Sequence, residues 1–175
     1  MDDGCYLAVK VISELARRRR KGLSADVKSL YSGLQEPGQE MEIRLDLPGK
    51  IDFRKSGTDA IRCMEEWIKG RSKLPAPPGW TMESENYEGI RIKINGGLVV
   101  EEGWLLLRQS LHDPLLVLNI ETQQKNGCFH VACTLAIWLE AGGKYMPGWR
   151  DVDLTKLKDV AKVVSEDGKA PIYPL

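Results

Sequence analysis

The sequence lacks a net charge, because 25 Lys and Arg residues balance 25 Asp and Glu residues in a chain of 175. An overall charge suited to nucleic acid or to an anionic membrane is therefore absent. A long apolar run is absent too, since the most apolar stretch, residues 129–139, is far shorter than the ~20 residues that span a membrane. The first residues are acidic and polar and do not form a secretory leader. We therefore expect a soluble cytoplasmic protein that binds neither nucleic acid nor membrane.

Cysteine and histidine are scarce, with four Cys and two His. Cys5, Cys63, Cys128 and Cys133 form no Cys-x-x-Cys pair, so the sequence lacks the paired ligand spacing of a tetrahedral zinc site. A chain of this length can fold by burying apolar surface and does not need a disulfide framework. We expect buried, unreactive thiols and no metal bound by this chain.

Apolar residues recur with two different periods along the chain. Spacings of three and four positions predict helices at 5–21, 27–34, 58–69, 129–140 and 154–161. Alternation with polar residues predicts strands at 41–46, 90–94, 104–108 and 115–121. The last three strands would form an antiparallel meander. The predicted fold is α+β, an antiparallel sheet of about four strands with helices packed on one face and a further helix before it.

Breaks in these patterns divide the chain into three parts. Glu36-Pro37-Gly38-Gln39 interrupts the helical spacing, which predicts a helical segment and hinge over 1–38. A domain is expected over 39–143, with a loop at 71–80 that is rich in Pro, Gly and Ser. After it, residues 144–175 are expected to form an irregular tail that contains the last short helix.

A basic run, Arg17-Arg18-Arg19-Arg20-Lys21, ends the first predicted helix. Cations favour the C-terminal end of a helix dipole, and Gly22 is a suitable C-cap. A nucleic-acid patch is the alternative. It is less favoured because no aromatic residue is interleaved and no second basic cluster accompanies the run.

Two polar motifs are candidates for anion binding. The first reads Arg54-Lys55-Ser56-Gly57-Thr58-Asp59 and precedes a predicted helix. We interpret Ser56 as the N-cap of that helix in a capping box, with an anion site at the helix N-terminus as the alternative.

The second motif reads Arg108-Gln109-Ser110-Leu111-His112-Asp113-Pro114 and lies between two predicted strands. A tight loop there would bring together the Arg108 guanidinium, the Ser110 hydroxyl, the His112 imidazole and several backbone N–H groups. Such donors match the oxygens of a phosphate. From the residues alone, a polar turn shaped by Asp113 and Pro114 stays open as the alternative.

This loop is part of a longer pattern that resembles a known family. The pattern reads Glu88-Gly89-Ile90-Arg91, then Gly103-Trp104-Leu105-Leu106-Leu107 up to the loop, then Leu118-Asn119-Ile120-Glu121. It resembles the C-terminal domain of the α-D-phosphohexomutases, the phosphoglucomutase, phosphomannomutase and phosphoglucosamine mutase enzymes, where a loop of form R-P-S-G-T-E-P lies between strands. The similarity is specific over about 86–121. It is fainter over 1–47, where the first helix resembles the last helix of the family's preceding domain.

The resemblance implies roles for the whole loop. Arg108, Ser110 and His112 would bind the non-reacting phosphate of a hexose phosphate, and the remaining residues, Gln109, Leu111, Asp113 and Pro114, would shape the loop. Gln109, Leu111 and His112 stand where the family pattern has Pro, Gly and Thr. Leucine resists the positive φ that glycine adopts freely, so Leu111 raises a conformational question.

The family's reaction needs parts that this sequence does not contain. A phosphoserine loop of S-H-N-P type, a metal loop of form D-G-D-x-D-R and a sugar-recognition loop belong to the family's earlier domains. The resemblance therefore implies no catalytic residue and no cofactor in this chain, with Mg²⁺ expected on the other domains. Phosphate transfer between C1 and C6 of a hexose would require the complete protein, and this chain alone is expected to be inactive.

A non-catalytic homologue is the alternative function. Leu7, Val11 and Leu15 form an apolar stripe on the first predicted helix. A stripe without a partner favours association. The chain would then act as a phosphate-binding or protein-interaction module that self-associates or binds a partner through residues 5–21.

Overall fold

The computed structural model describes residues 4–34, 36–48, 52–96, 100–142 and 145–166. The chain divides into two compact units, Met1–Glu36 and Pro37–Leu175. The first unit contains α1 (Gly4–Arg20) and α2 (Lys28–Tyr31). The elements of the second unit are β1 (Gln39–Asp46), α3 (Phe53–Ile68), β2 (Trp80–Met82), β3 (Ile90–Asn95), β4 (Glu102–Gln109), β5 (Leu115–Thr122), α4 (Gly127–Ala141), a 3₁₀ helix (Pro147–Trp149) and α5 (Thr155–Glu166).

The strands of the second unit form one antiparallel sheet in the order β1-β5-β4-β3-β2. In its register Ile92 lies opposite Leu105, Leu105 opposite Ile120, and Leu118 opposite Ile43. Because successive side chains of a strand point to opposite faces, this register gathers the buried residues on one face. The α+β fold and its antiparallel sheet are confirmed. The short edge strand β2 was not predicted, since three residues are too few to show alternation.

The helices of this unit pack on the apolar face of the sheet. Helix α3 contributes Ala60, Met64 and Trp67, spaced three and four positions apart, to a continuous core. Helix α4 is apolar on nearly all sides because it contacts the sheet on one side and α5 on another. The predicted packing of helices on one face is therefore confirmed.

The region after Gly142 is more ordered than the irregular tail predicted for residues 144–175. Helix α5 extends over Thr155–Glu166, and its Leu157 is completely buried in the core. The sequence prediction, at residues 154–161, captured only the first part of this helix, because its polar outer side hides its length. The predicted tail beyond residue 166 lies outside the described residues.

Helix α3 begins earlier than the motif at Ser56 predicts. Its N-cap is Asp52, whose carboxylate accepts hydrogen bonds from the backbone N–H groups of Arg54 at 3.1 Å and Lys55 at 3.4 Å. Ser56 lies inside the first turn, where its N–H donates to the Asp52 carbonyl. The prediction of Ser56 as N-cap is wrong, because Asp and Ser cap helices equally well and both occur here. The Asp52 carboxylate also opposes an anion at this helix end.

Asp52→Ala should lower the free energy of unfolding by about 1 kcal/mol, because the N–H groups at the start of α3 lose their acceptor. Ser56→Ala should change it by less than about 0.5 kcal/mol, since alanine suits a helix interior. Urea unfolding of both variants measures the difference. A larger loss for Ser56→Ala than for Asp52→Ala would contradict this N-cap.

Candidate functional site

The candidate loop connects the end of β4 to the start of β5. Its base is closed by a hydrogen bond from Ser110 N–H to the Leu115 carbonyl at 3.0 Å. The Pro114 carbonyl accepts a hydrogen bond from Leu47 N–H, just after β1, at 2.8 Å. These bonds tie the loop both to its own hairpin and to the neighbouring strand.

The Ser110 side chain organises the turn. Its Oγ accepts hydrogen bonds from the backbone N–H groups of His112 at 3.4 Å and Asp113 at 3.2 Å. A hydroxyl that accepts two bonds still carries one proton to donate. Ser110 therefore shapes the loop and keeps its O–H available for a ligand. The two N–H groups, in contrast, already face Ser110 and leave less of the anion-binding backbone nest that the sequence predicts.

Gln109 fastens the loop to helix α3. Its Nε2 donates a hydrogen bond to the Phe53 carbonyl at 2.9 Å. A Cβ added at Gly57 would lie 2.4 Å from Cδ of Gln109, so glycine at this position permits the contact. Sequence reasoning missed this contact. The available signals were a glycine inside a helix and a glutamine where the family pattern has proline, which offers no side-chain donor.

Gly89 sets the backbone next to Arg108. It precedes β3 with a φ of +99°, and a Cβ there would lie 2.2 Å from the Leu107 carbonyl oxygen. The same Cβ would lie 2.9 Å from Cα of Arg108. Only glycine combines this φ with so close an approach. Gly89 therefore fixes the end of β4 at the position from which the Arg108 side chain departs.

The Arg108 side chain lies on the sheet face opposite the helices, and it is half-buried there. Arg108 pairs with Val117 on β5, and Val117 pairs with Arg44 on β1. Within the described part of the chain, Arg108 is not among the side chains that form ion pairs or hydrogen bonds. Its guanidinium therefore keeps its donors for a ligand.

Arg108 still contributes to the electrostatics of this face through Glu42. The pKa of Glu42 is lowered, first by its hydrogen bond with Arg44 at 2.8 Å and next by one with Asn119 at 3.2 Å. The positive charge of Arg108 adds to that effect. The neighbourhood of the loop thus combines an uncommitted cation with a carboxylate that stays ionised.

The tip of the loop faces solvent. Leu111 is 76% exposed, and His112, Asp113 and Pro114 are exposed as well. Among the non-glycine residues that the structure describes, only Asn126 has a positive φ. The loop therefore closes with Leu111 in an ordinary conformation, which answers the question raised by the missing glycine. The structure brings Ser110 into contact with the backbone of His112, and Arg108 lies at the end of β4, two residues before Ser110.

The thiols do not suggest a reactive centre in the described residues. Burial raises the pKa of Cys63, Cys128 and Cys133 above the ordinary value of a thiol. Cys128 and Cys133 are buried as expected and Cys63 is half-buried, but Cys5 is exposed, so the expectation of burial is wrong for Cys5. Cys5 lies on α1, where no residue of the helix is buried.

Two further features are absent from the part of the chain that the structure describes. No group of three or more His, Cys, Asp or Glu side chains is arranged to hold a metal ion. No helix there combines the length and the hydropathy that crossing a membrane requires.

Comparison with known proteins finds only distant similarity, to solved structures. No family model and no curated protein matches the chain. Among the solved structures that match is a phosphoglucomutase/phosphomannomutase family protein from Burkholderia thailandensis, with 21% sequence identity and a TM-score of 0.44. The match covers 82% of this chain and 24% of that one. A similarity this distant assigns neither a family nor a function to this chain.

Gly89→Ala should lower the free energy of unfolding by more than about 2 kcal/mol, because a left-handed backbone and a clash with the Leu107 carbonyl act together. Gly96→Ala is the matched control. Gly96 has a φ of +62° with open space around it, so its cost should stay near 1 kcal/mol. Urea unfolding compares the two variants, and equal losses would contradict the close approach of Gly89 to β4.

Proposed function

We propose that this chain is the C-terminal domain of a phosphohexomutase-like protein, and that its β4–β5 loop holds the phosphate of a hexose phosphate that does not react. One observation supports this proposal most strongly. The Arg108 guanidinium, without an ion-pair partner in the described part of the chain, departs from a strand end beside a loop that is fastened on two sides. Two-sided fastening reduces the ordering cost of binding.

Each side chain has a distinct role in this proposal. Arg108 presents a planar fork of N–H groups to two phosphate oxygens. Ser110 donates its remaining proton to the third oxygen, and the His112 side chain adds an N–H donor. The shape of the loop depends on Gln109, Leu111, Asp113 and Pro114. Gln109 contributes through its hydrogen bond to the Phe53 carbonyl.

In this proposal the domain binds and positions the substrate, while the reacting groups belong to other domains. Phosphate transfer between C1 and C6 needs a nucleophile and a cation at the reacting oxygen, which other domains would supply, with Mg²⁺ bound there. A hinge at the boundary of the two units, between Glu36 and Pro37 and just before β1 begins at Gln39, would let the domain close over the bound sugar.

Titration of the full chain with glucose 6-phosphate, followed by the amide signals in NMR spectra, should shift residues 108–114. Arg108→Gln should weaken binding about tenfold or more, because a charge-assisted bidentate contact is lost. Arg44→Gln removes the same charge from the same row of the sheet and should preserve binding within about threefold.

Two results would count against the phosphate site. The first is the absence of shifts at residues 108–114 up to millimolar glucose 6-phosphate. The second is an equal weakening by Arg108→Gln and Arg44→Gln, which would assign the effect to net charge and not to the loop.

A protein-interaction module is the second candidate function, and the surface of α1 favours it. None of the residues of α1, all of which the structure describes, is buried. Leu7 is 64% exposed and Ile12 is 65% exposed, whereas Val11 and Leu15 are half-buried. An amphipathic helix derives most of its stability from covering its apolar face. Self-association of the chain through α1 would supply that cover.

Sedimentation analysis of the full chain should show a concentration-dependent dimer if this second function holds. The double substitution Leu7→Ser and Ile12→Ser should abolish it without loss of stability in the second unit, because both side chains are exposed. Tyr87→Ser, at a side chain that is 88% exposed in the second unit, is the control and should preserve the dimer. A monomer at all concentrations for the unaltered chain would exclude self-association through α1.

A further inference from the structure

A second concave surface lies in the same unit, toward the far end of α3 from the β4–β5 loop. It is a groove of about 530 Å³ between α3, the segment that follows it and the residues around the 3₁₀ helix. Three of its lining side chains are cationic, Arg62, Arg71 and Lys73, and one, Glu66, is anionic. Ser72 adds a hydroxyl to the same wall. The groove therefore has an excess of positive charge.

The one carboxylate of the groove is already engaged. Arg62 forms ion pairs with Asp59 at 3.2 Å and with Glu66 at 3.6 Å. Both carboxylates raise the pKa of Arg62, with the hydrogen bond to Asp59 as the largest cause. Arg71 and Lys73 are not among the ion-paired side chains of the described residues. Arg62, Asp59 and Glu66 together carry one negative charge. Arg71 and Lys73 therefore leave the groove with a net positive charge, and a concave wall concentrates its potential.

The wall that carries these cations is fixed by hydrogen bonds to α3 and within the segment itself. Arg71 N–H donates to the Glu66 carbonyl at 2.8 Å, at the C-terminal end of α3. Leu74 N–H donates to Ser72 Oγ at 3.2 Å. Nε1 of Trp67, a completely buried side chain, donates to the Pro75 carbonyl at 3.0 Å. The backbone of the segment is consequently held on the core.

The opposite wall of the groove, which contains the 3₁₀ helix, also packs against α3. A Cβ added at Gly148 would lie 2.4 Å from the Asp59 carbonyl oxygen, so the 3₁₀ helix contacts α3 without an intervening side chain. Cys63 Sγ lies 3.7 Å from Met146 Sδ, and Met146 is completely buried. Both walls are therefore parts of the folded unit.

We propose that this groove binds an anionic ligand of the phosphate-ester or polyphosphate class, independently of the β4–β5 loop. Arg71 offers a planar fork of donors, Lys73 a mobile ammonium and Ser72 a hydroxyl, which are the groups that recognise phosphate oxygens. The volume lies within the range of small-molecule sites. Along α3, Glu66 is about 13 Å from Gly57, the residue that contacts Gln109, so the two sites are separate.

Inorganic pyrophosphate is the probe, added to the full chain and followed by the amide signals in NMR spectra. Residues 62–66, 71–73 and 145–148 should shift, and they should do so equally in the Arg108→Gln variant. The double substitution Arg71→Gln and Lys73→Gln should raise the dissociation constant about tenfold or more. Because both side chains are exposed, the variant should keep the unfolding midpoint of the unaltered chain.

Lys28→Gln with Lys125→Gln is the matched control, since it removes two exposed positive charges elsewhere. It should preserve the pyrophosphate affinity within about threefold. Equal weakening in this control would overturn the proposal, because the binding would then follow net charge. Shifts confined to residues 108–114 would also overturn it. A third result would overturn the proposal as well: the double variant at Arg71 and Lys73 loses stability but keeps its pyrophosphate affinity. These cations would then only complement the dipole of α3.

Discussion

The apolar face of the antiparallel sheet must be covered, and the way α3 covers it positions both candidate sites. Met64 and Trp67 anchor the helix in the core and determine where its two ends lie. At the first turn, the Phe53 carbonyl receives the Gln109 side chain and fastens the β4–β5 loop. At the last turn, the Glu66 carbonyl receives Arg71 N–H and fastens the cationic wall of the groove. One packed helix thus orders two surfaces that are far apart in the sequence.

The fold could be predicted where a local pattern reports burial. Ile90, Ile92 and Ile94 alternate strictly, and all three are buried on one side of β3. The patterns fail where the determining contact is not local or where the segment is short. Asp52 and Ser56 are equivalent caps by residue type, and only the packing of α3 decides between them. The three residues of β2 form a strand because they pair with β3, and they are too few to show an alternating pattern of their own.

The candidate site, like the fold, could be predicted only in part from the sequence. The residue types of the loop indicated phosphate chemistry, and Gly89 belonged to the pattern that carried the family resemblance. The sequence could not indicate that Gln109 would contact Gly57, because residues so far apart are joined only by the packing of α3 on the sheet. The sequence also predicted more free backbone N–H groups in the loop than the structure has, because Ser110 Oγ accepts hydrogen bonds from two of them. The guanidinium of Arg108 therefore carries more of the proposed binding than the loop amides do.

The core does not include α1, so the two candidate functions depend on different parts of the chain. Every buried residue of the core cluster belongs to the second unit, so the sheet and its helices need no residue of α1 for their stability. The first unit, in contrast, buries none of the residues of α1 and cannot draw on a core of its own. If the chain is the C-terminal domain of a larger phosphohexomutase-like protein, the rest of the preceding domain would cover the exposed apolar side chains of α1; if it is an interaction module, a second copy would cover them. Helix α1 therefore needs a cover of its own, whether or not the loop binds phosphate, and the two functions can coexist in one chain.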